Sequence, residues 1–182
     1  MFDWGLFLGA IGVVIGLPAL VLAVSPFCQM IWGRPKIKIE FVDFTGQDGK
    51  DLICSIFNAP VTNRLLKFVR VRRETGDLNA AFDLIEEGSN RVVLSAITGL
   101  IHDPTSRTSS LVVRARPHFH AGFPVIVCRE GKTCVHDPRQ DELIPVPPGQ
   151  YRARILVVCD DEPYVVEKAM QLDADPAKTA WR

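Results

Sequence analysis

Between Trp4 and Val24 the chain reads WGLFLGAIGVVIGLPALVLAV, with no charged residue and no strongly polar one. As an α-helix that run spans about 31 Å, close to the hydrocarbon thickness of a bilayer. Beyond Arg34 the pattern changes from continuous to alternating. KIKIEF alternates charged and apolar residues, which predicts a strand with Ile37, Ile39 and Phe41 on one face. TGQDGK then predicts a turn, LICSIF a buried strand and RLLKFVRVRRE another strand. LNAAFDLIEEGSN fits either a short helix or a strand. RVVLSAITGLI predicts a strand, HDPTSRTSS a loop, and SLVVRARPHF, FPVIVCRE, GQYRARILVVC and PYVVEKAMQL further strands. Turn signals recur about every 8–15 residues, the spacing of a sandwich or barrel rather than of βαβ units.

The pattern divides the chain into an anchor with an interfacial segment over 1–33, an all-β domain over 34–173 and a polar, loose tail over 174–182 in which Trp181 suggests a docking contact. Trp4 and Trp32 lie near the two ends of the anchor, where indole rings favour the interface. A cleaved signal peptide needs a basic start, and the only early charge is Asp3. The small residues Ala23 and Ser25 are followed at once by Pro26, so an uncleaved single-pass anchor is expected. Arg34, Lys36 and Lys38 follow the span, and the positive-inside rule places the β-domain in the cytoplasm.

The anchor is rich in glycine, and the glycines have a register. Gly5, Gly9, Gly12, Gly16, Ala19 and Ala23 are spaced 4, 3, 4, 3, 4. On a helix all six fall within an arc of about 80°. Lipid supplies no hydrophobic drive for helix association, so close backbone approach has to supply dispersion contacts instead. The stripe therefore predicts packing against another transmembrane helix, from a second copy or from a different protein. Pro18 removes one backbone hydrogen bond inside the span.

Composition adds little until charge is placed on the strands. The chain has 182 residues, is 47% hydrophobic and carries no formal net charge, which argues against a general nucleic-acid coat. Arg70/Arg72, Arg114/Arg116 and Arg152/Arg154 are each spaced by two on a predicted strand, so each pair shares a face. If the strands neighbour one another, they form a basic patch suited to an acidic lipid headgroup, a nucleotide or an acidic protein. The competing reading is that acids such as Glu74, Glu86, Glu87 and Asp160 pair with them across strands.

Candidate chemistry is sparse. Cys128 and Cys134 flank Gly131 symmetrically in CREGKTC and are a candidate disulfide in an oxidising compartment, or reduced buried thiols in the cytoplasm. His118 and His120 share a strand face, but there is no CxxC and no HExxH, so no metal site is expected. REGKT lacks the upstream glycine of a phosphate loop, since residue 126 is Ile. CDDEP sits between two strands and predicts a turn. No catalytic residue and no cofactor are expected.

One stretch carries a resemblance. PVPPGQYRARILVV places a Pro/Gly turn before a tyrosine that opens a long late strand. This resembles the tyrosine corner of immunoglobulin-like and fibronectin-type sandwiches, with Tyr151 as the corner residue. The resemblance implies an all-β, Ig-like β-sandwich in which the Tyr151 hydroxyl bonds upstream backbone. The position two residues on, a cysteine in antibody domains, is Ala153, and no tryptophan occurs between Arg34 and Ala180. A small closed β-barrel is the alternative. In layout the chain also resembles membrane-anchored β-barrel effectors of bacterial anti-phage signalling, which bind cyclic nucleotides and cluster in the membrane. The expected function is a non-catalytic, membrane-anchored adaptor, scaffold or binding module. The alternative is a tethered sensor of an anionic ligand that oligomerises in the membrane.

Overall fold

A computed structural model of the chain describes residues 36–46, 49–59, 75–103, 108–113 and 120–182. They lie in one compact unit, Lys36–Ala59 with Glu74–Arg182. The expected anchor over 1–33, its small-residue stripe and the expected strand RLLKFVRVRRE fall outside the described residues. Among the described residues no helix is long and apolar enough to cross a membrane.

The architecture is two antiparallel sheets packed as a β-sandwich. In chain order the strands are β1 (Ile37–Thr45), β2 (Lys50–Asn58), β3 (Leu78–Glu86), β4 (Val92–Thr98), β5 (Ile101–Asp103) and β6 (Thr108–Ser110). They continue with β7 (His120–Arg129), β8 (Lys132–Asp137), β9 (Glu142–Pro145), β10 (Gly149–Cys159), β11 (Glu162–Leu172) and β12 (Ala180–Trp181). The first sheet runs β1-β2-β7-β5-β6, with β8 on β7 and β9 on β8. The second runs β12-β11-β10-β3-β4.

Period-two burial explains the assignments. On β10 the residues Tyr151, Ala153, Ile155, Val157 and Cys159 are buried, while Arg154 and Leu156 between them are exposed. LNAAFDLIEEGSN, open between helix and strand on sequence grounds, resolves as β3. Leu78, Ala80, Phe82 and Leu84 are all buried, which is a strand period and gives β10 an apolar neighbour to pair with. HDPTSRTSS, expected as a loop, instead contributes the ends of β5 and β6, which pair His102 with Ser109.

Two turns of the same kind set the long hairpins. Glu130 and Gly131 join β7 to β8 with φ of 52° and 71°. Asp160 and Asp161 join β10 to β11 with φ of 52° and 63°. Two-residue loops with both residues left-handed match the right-handed twist of the flanking strands. CDDEP is thus a hairpin turn.

The core lies between the sheets. Phe123 of the first sheet and Phe82 of the second stack with ring centroids 6.1 Å apart. Leu52, Ile56, Ile126, Leu84, Ile155 and Met170 are fully buried around them. At the base of β10 the Tyr151 hydroxyl donates to the Pro147 carbonyl at 3.0 Å. The C-terminal tail is ordered, in contrast to the sequence expectation. Asp175 caps a single 3-10 turn over Pro176–Lys178, and Ala180 and Trp181 then pair with β11. Trp181 meets Phe41 edge-on at 4.7 Å, and its backbone N–H donates to Asp43 at 3.3 Å. The tail reads as polar because only one of its side chains is large and apolar.

Phe123→Ala is expected to lower the unfolding free energy by about 3–5 kcal/mol, because a cavity opens at the centre of the sandwich. Tyr151→Phe removes one hydrogen bond and is expected to cost about 1 kcal/mol. Denaturant unfolding of the full chain checks both, and an equal effect of the two would contradict the packing described.

Candidate functional site

Three surfaces present chemistry. The first is the outer face of the second sheet, where Arg152 and Arg154 project from β10. Both are matched by acids. Arg154 Nε donates to Glu167 Oε1 at 2.8 Å and Arg154 Nη1 lies 3.9 Å from Asp83 Oδ2. Arg152 Nη1 lies 3.4 Å from the other oxygen of Glu167, and its Nη2 donates to the Asn90 side-chain oxygen at 3.2 Å. Register explains the choice of partners, since Arg154 stands opposite Glu167 on β11 and Asp83 on β3. The acids anticipated from sequence were different ones. The hydrogen bond and charge of Arg154 and the charge of Arg152 hold the Glu167 carboxyl below its ordinary range, and Glu167 holds the Arg154 guanidinium above its own. Arg70, Arg72, Arg114 and Arg116 lie outside the described residues.

The second surface is the outer face of the first sheet. Register aligns Glu40, Ser55, Gly122, His102 and Ser109 in one row across five strands. The central member has no side chain. A Cβ at Gly122 would stand 3.1 Å from the Cys54 carbonyl oxygen, so the sheet surface dips at that point. Beside the dip, Ser55 Oγ and His120 Nδ1 are 3.2 Å apart, and Ser109 Oγ and His102 Nδ1 are 3.3 Å apart. Phe57 stacks on the His120 ring at 4.2 Å and 12°, which fixes its plane. A serine hydroxyl donates or accepts, so each pair serves either imidazole tautomer. The row offers an open strip of polar donors and acceptors. His118 lies outside the described residues. Among the described residues no three His, Cys, Asp or Glu side chains gather as a metal shell.

The sequence reading missed this row because its members are far apart in the chain and none belongs to a motif. The signal was the polar phase of alternating strands: Lys38 and Glu40 in KIKIEF, and Ser55 in LICSIF.

The third surface is a shallow cleft of about 340 Å³ whose walls include Pro145, Pro147, Pro148 and Pro176, with Lys132 and Asp173 as its charged members. Proline has no N–H, so these walls are poor in donors.

Among the described residues the thiols are buried and free. Cys54, Cys128, Cys134 and Cys159 form no disulfide. The candidate Cys128–Cys134 bridge fails for a geometric reason. The turn is centred between Glu130 and Gly131, not on Gly131, so Cys128 stands opposite Thr133 and Cys134 opposite Val127. Directly opposed residues share a face and successive residues alternate, so the two sulfurs belong to opposite faces of the ribbon. Cys128 instead donates to the Lys50 carbonyl at 3.1 Å, and its backbone N–H donates to Asp51 at 2.7 Å. Burial pushes the Cys54 thiol up to about 12. Burial, then Asp160 and Glu162, push Cys159 up to about 11. Burial also raises Cys128, with the Asp51 charge adding to it. Cys54, Cys128 and Cys159 are therefore not poised nucleophiles.

Compared with known proteins, the chain matches no family model and no curated protein sequence.

Two outcomes follow from these surfaces. Cys54 and Cys159 remain unlabelled by iodoacetamide at about pH 8 in the folded chain and react fully in denaturant. Ready labelling of the folded protein would contradict their raised pKa values. Glu167 has a depressed folded pKa, so its stabilising effect is present above its ordinary value of 4.5 and is lost as pH falls through the lower folded value. Arg154→Met is expected to move the Glu167 titration, read by NMR, back up toward that ordinary value.

Proposed function

We propose that the chain is a non-catalytic, membrane-tethered binding module. Its N-terminal run anchors it as a single span, the small-residue stripe packs that span against another helix, and the β-sandwich presents open sheet faces to a partner. An immunoglobulin-like sandwich is the finer fold reading, supported by the Tyr151 bond to the Pro147 carbonyl at the start of a long late strand. The observation that carries the binding reading is the polar row on the first sheet. Glu40, Ser55, His102 and Ser109 lie across one flat face around the Gly122 dip. Such a strip suits recognition of another surface through hydrogen bonds, while catalysis needs groups converging on an enclosed reacting atom.

The sensor alternative draws on a basic patch for anions. Glu167 and Asp83 already neutralise Arg152 and Arg154, so that reading rests on Arg70, Arg72, Arg114 and Arg116. An adaptor without bound nucleotide is the better supported of the two. The partner's chemistry follows from the strip: a protein surface rich in hydrogen-bonding groups.

The test uses the full chain. Because the native domain thiols are buried, Glu142→Cys on an exposed strand position supplies a reporter. We expect the chain to stay with the membrane after alkaline washing. The reporter should react with an impermeant maleimide only after cells are permeabilised. Release by alkali would overturn the anchor, and labelling of intact cells would overturn the cytoplasmic placement. A melting temperature raised by an anionic nucleotide would replace the adaptor reading with the sensor reading.

A further inference from the structure

Among the described residues strand β1 is an edge of the first sheet. Among the described residues its strand partner is β2, so its other long side presents backbone groups to whatever comes alongside. Hydrogen-bond parity shows which groups these are. Ala59 N–H donates to the Lys36 carbonyl and Gly46 N–H to the Gly49 carbonyl, each at 2.8 Å. Extending the β1–β2 register by one residue at each end makes these hydrogen-bonded pairs. Even-numbered residues of β1 therefore point their N–H and C=O toward β2, and Ile37, Ile39, Phe41 and Asp43 point theirs outward. The Asp43 position is crowded by Trp181, whose backbone N–H donates to the Asp43 carboxylate at 3.3 Å. Among the described residues no strand pairs with the outward side of Ile37–Phe41.

A second β1 laid antiparallel on that edge has few choices. Outward groups must meet outward groups, so odd residues face odd residues. When the pairing is centred on Ile39, Ile37 faces Phe41 of the second copy. Lys38 then faces Glu40 of the second copy, and Glu40 faces its Lys38. Both Lys38 and Glu40 are exposed on the outer face. They form a pair that is not hydrogen-bonded through backbone, the arrangement with side chains closest and Cα atoms about 4.5 Å apart. The next allowed register puts Glu40 against Glu40 and Lys38 against Val42, which is repulsive. The one after that needs Asp43, where Trp181 already sits. Displacement the other way sets Lys38 against Lys38, so backbone parity, charge and the crowded position together favour the register centred on Ile39.

We infer that β1 is a self-association edge, on which two copies of this chain join by antiparallel pairing of Ile37–Phe41 with reciprocal Lys38–Glu40 contacts. The inference deepens the assembling reading above and rests on it. So short an edge buries little area, and its occupancy depends on the high effective concentration that a shared membrane provides.

The experiment uses full-length chain in lipid vesicles, with energy transfer between labelled copies as the readout. Lys38→Glu and Glu40→Lys are each expected to weaken association by about fivefold, because each turns two attractive cross-strand contacts into like-charge contacts. The double variant K38E/E40K is expected to return to within about twofold of the parent, because the swap restores both contacts. Mixing a Lys38→Cys copy with a Glu40→Cys copy and adding a copper–phenanthroline oxidant should give a disulfide between them, since about 4.5 Å between Cα atoms lies in the bonding range. Association that persists without the disulfide or the charge-swap rescue overturns the β1 edge and leaves the assembling module standing. No association of the parent chain overturns both.

Discussion

The sandwich depends on Phe82 meeting Phe123 across the gap between the sheets. Each ring comes from the buried phase of its strand, and each strand is central enough to have neighbours on both sides. Side chains alternate with a period of two, so a slip of one residue on β3 or β7 would turn its phenylalanine to solvent and its polar partners inward. That constraint fixes the outer faces as firmly as the core. Ser55, Gly122 and His102 form a row because Cys54, Phe123 and Ile101 beside them are buried. The candidate binding strip is the complement of the core, read one residue out of phase.

Charge is arranged in the same way on the second sheet. Arg152 and Arg154 stand on the outward phase of β10 because Tyr151, Ala153 and Ile155 take the inward one. Their acids come from the strands on either side, Asp83 from β3 and Glu167 from β11. An exposed arrangement of this kind gains little net stability in water. It leaves the middle of that face without excess charge, beside the apolar outward pair Leu156 and Val165.

Much of the fold was legible in the sequence because alternation and turn chemistry are local. KIKIEF, LICSIF, FPVIVCRE, GQYRARILVVC and PYVVEKAMQL all appear as strands, and CDDEP as a turn between two of them. What was not legible depended on distant pairing. Whether LNAAFDLIEE is helix or strand is decided by β10, which offers Leu84 and Phe82 an extended neighbour. The register of the β7–β8 hairpin was read from the symmetry of two cysteines. It is set by the backbone, which centres the turn half a residue earlier. Trp181 was the one hint that the tail docks, and only Phe41 and Asp43 show where. The polar row was invisible because its five residues come from five strands.

The pairing of β3 with β10 has a consequence for how the chain is made. Glu86 and Tyr151 are neighbours in the sheet, yet β4, β5, β6, β7, β8 and β9 all lie between them in the chain. The β7–β8 and β10–β11 hairpins close locally through two-residue turns and are fast to form. The joining of β3 to β10 is a long-range closure and is slow by comparison. A nascent chain therefore holds Leu78, Phe82 and Leu84 uncovered while the intervening strands emerge. During that interval β3 has β4 beside it but lacks β10, and its apolar face is uncovered, the kind of segment that chaperones bind and that misassembles between neighbouring chains. The topology that leaves β3 waiting for β10 also makes synthesis the most exposed moment of this domain.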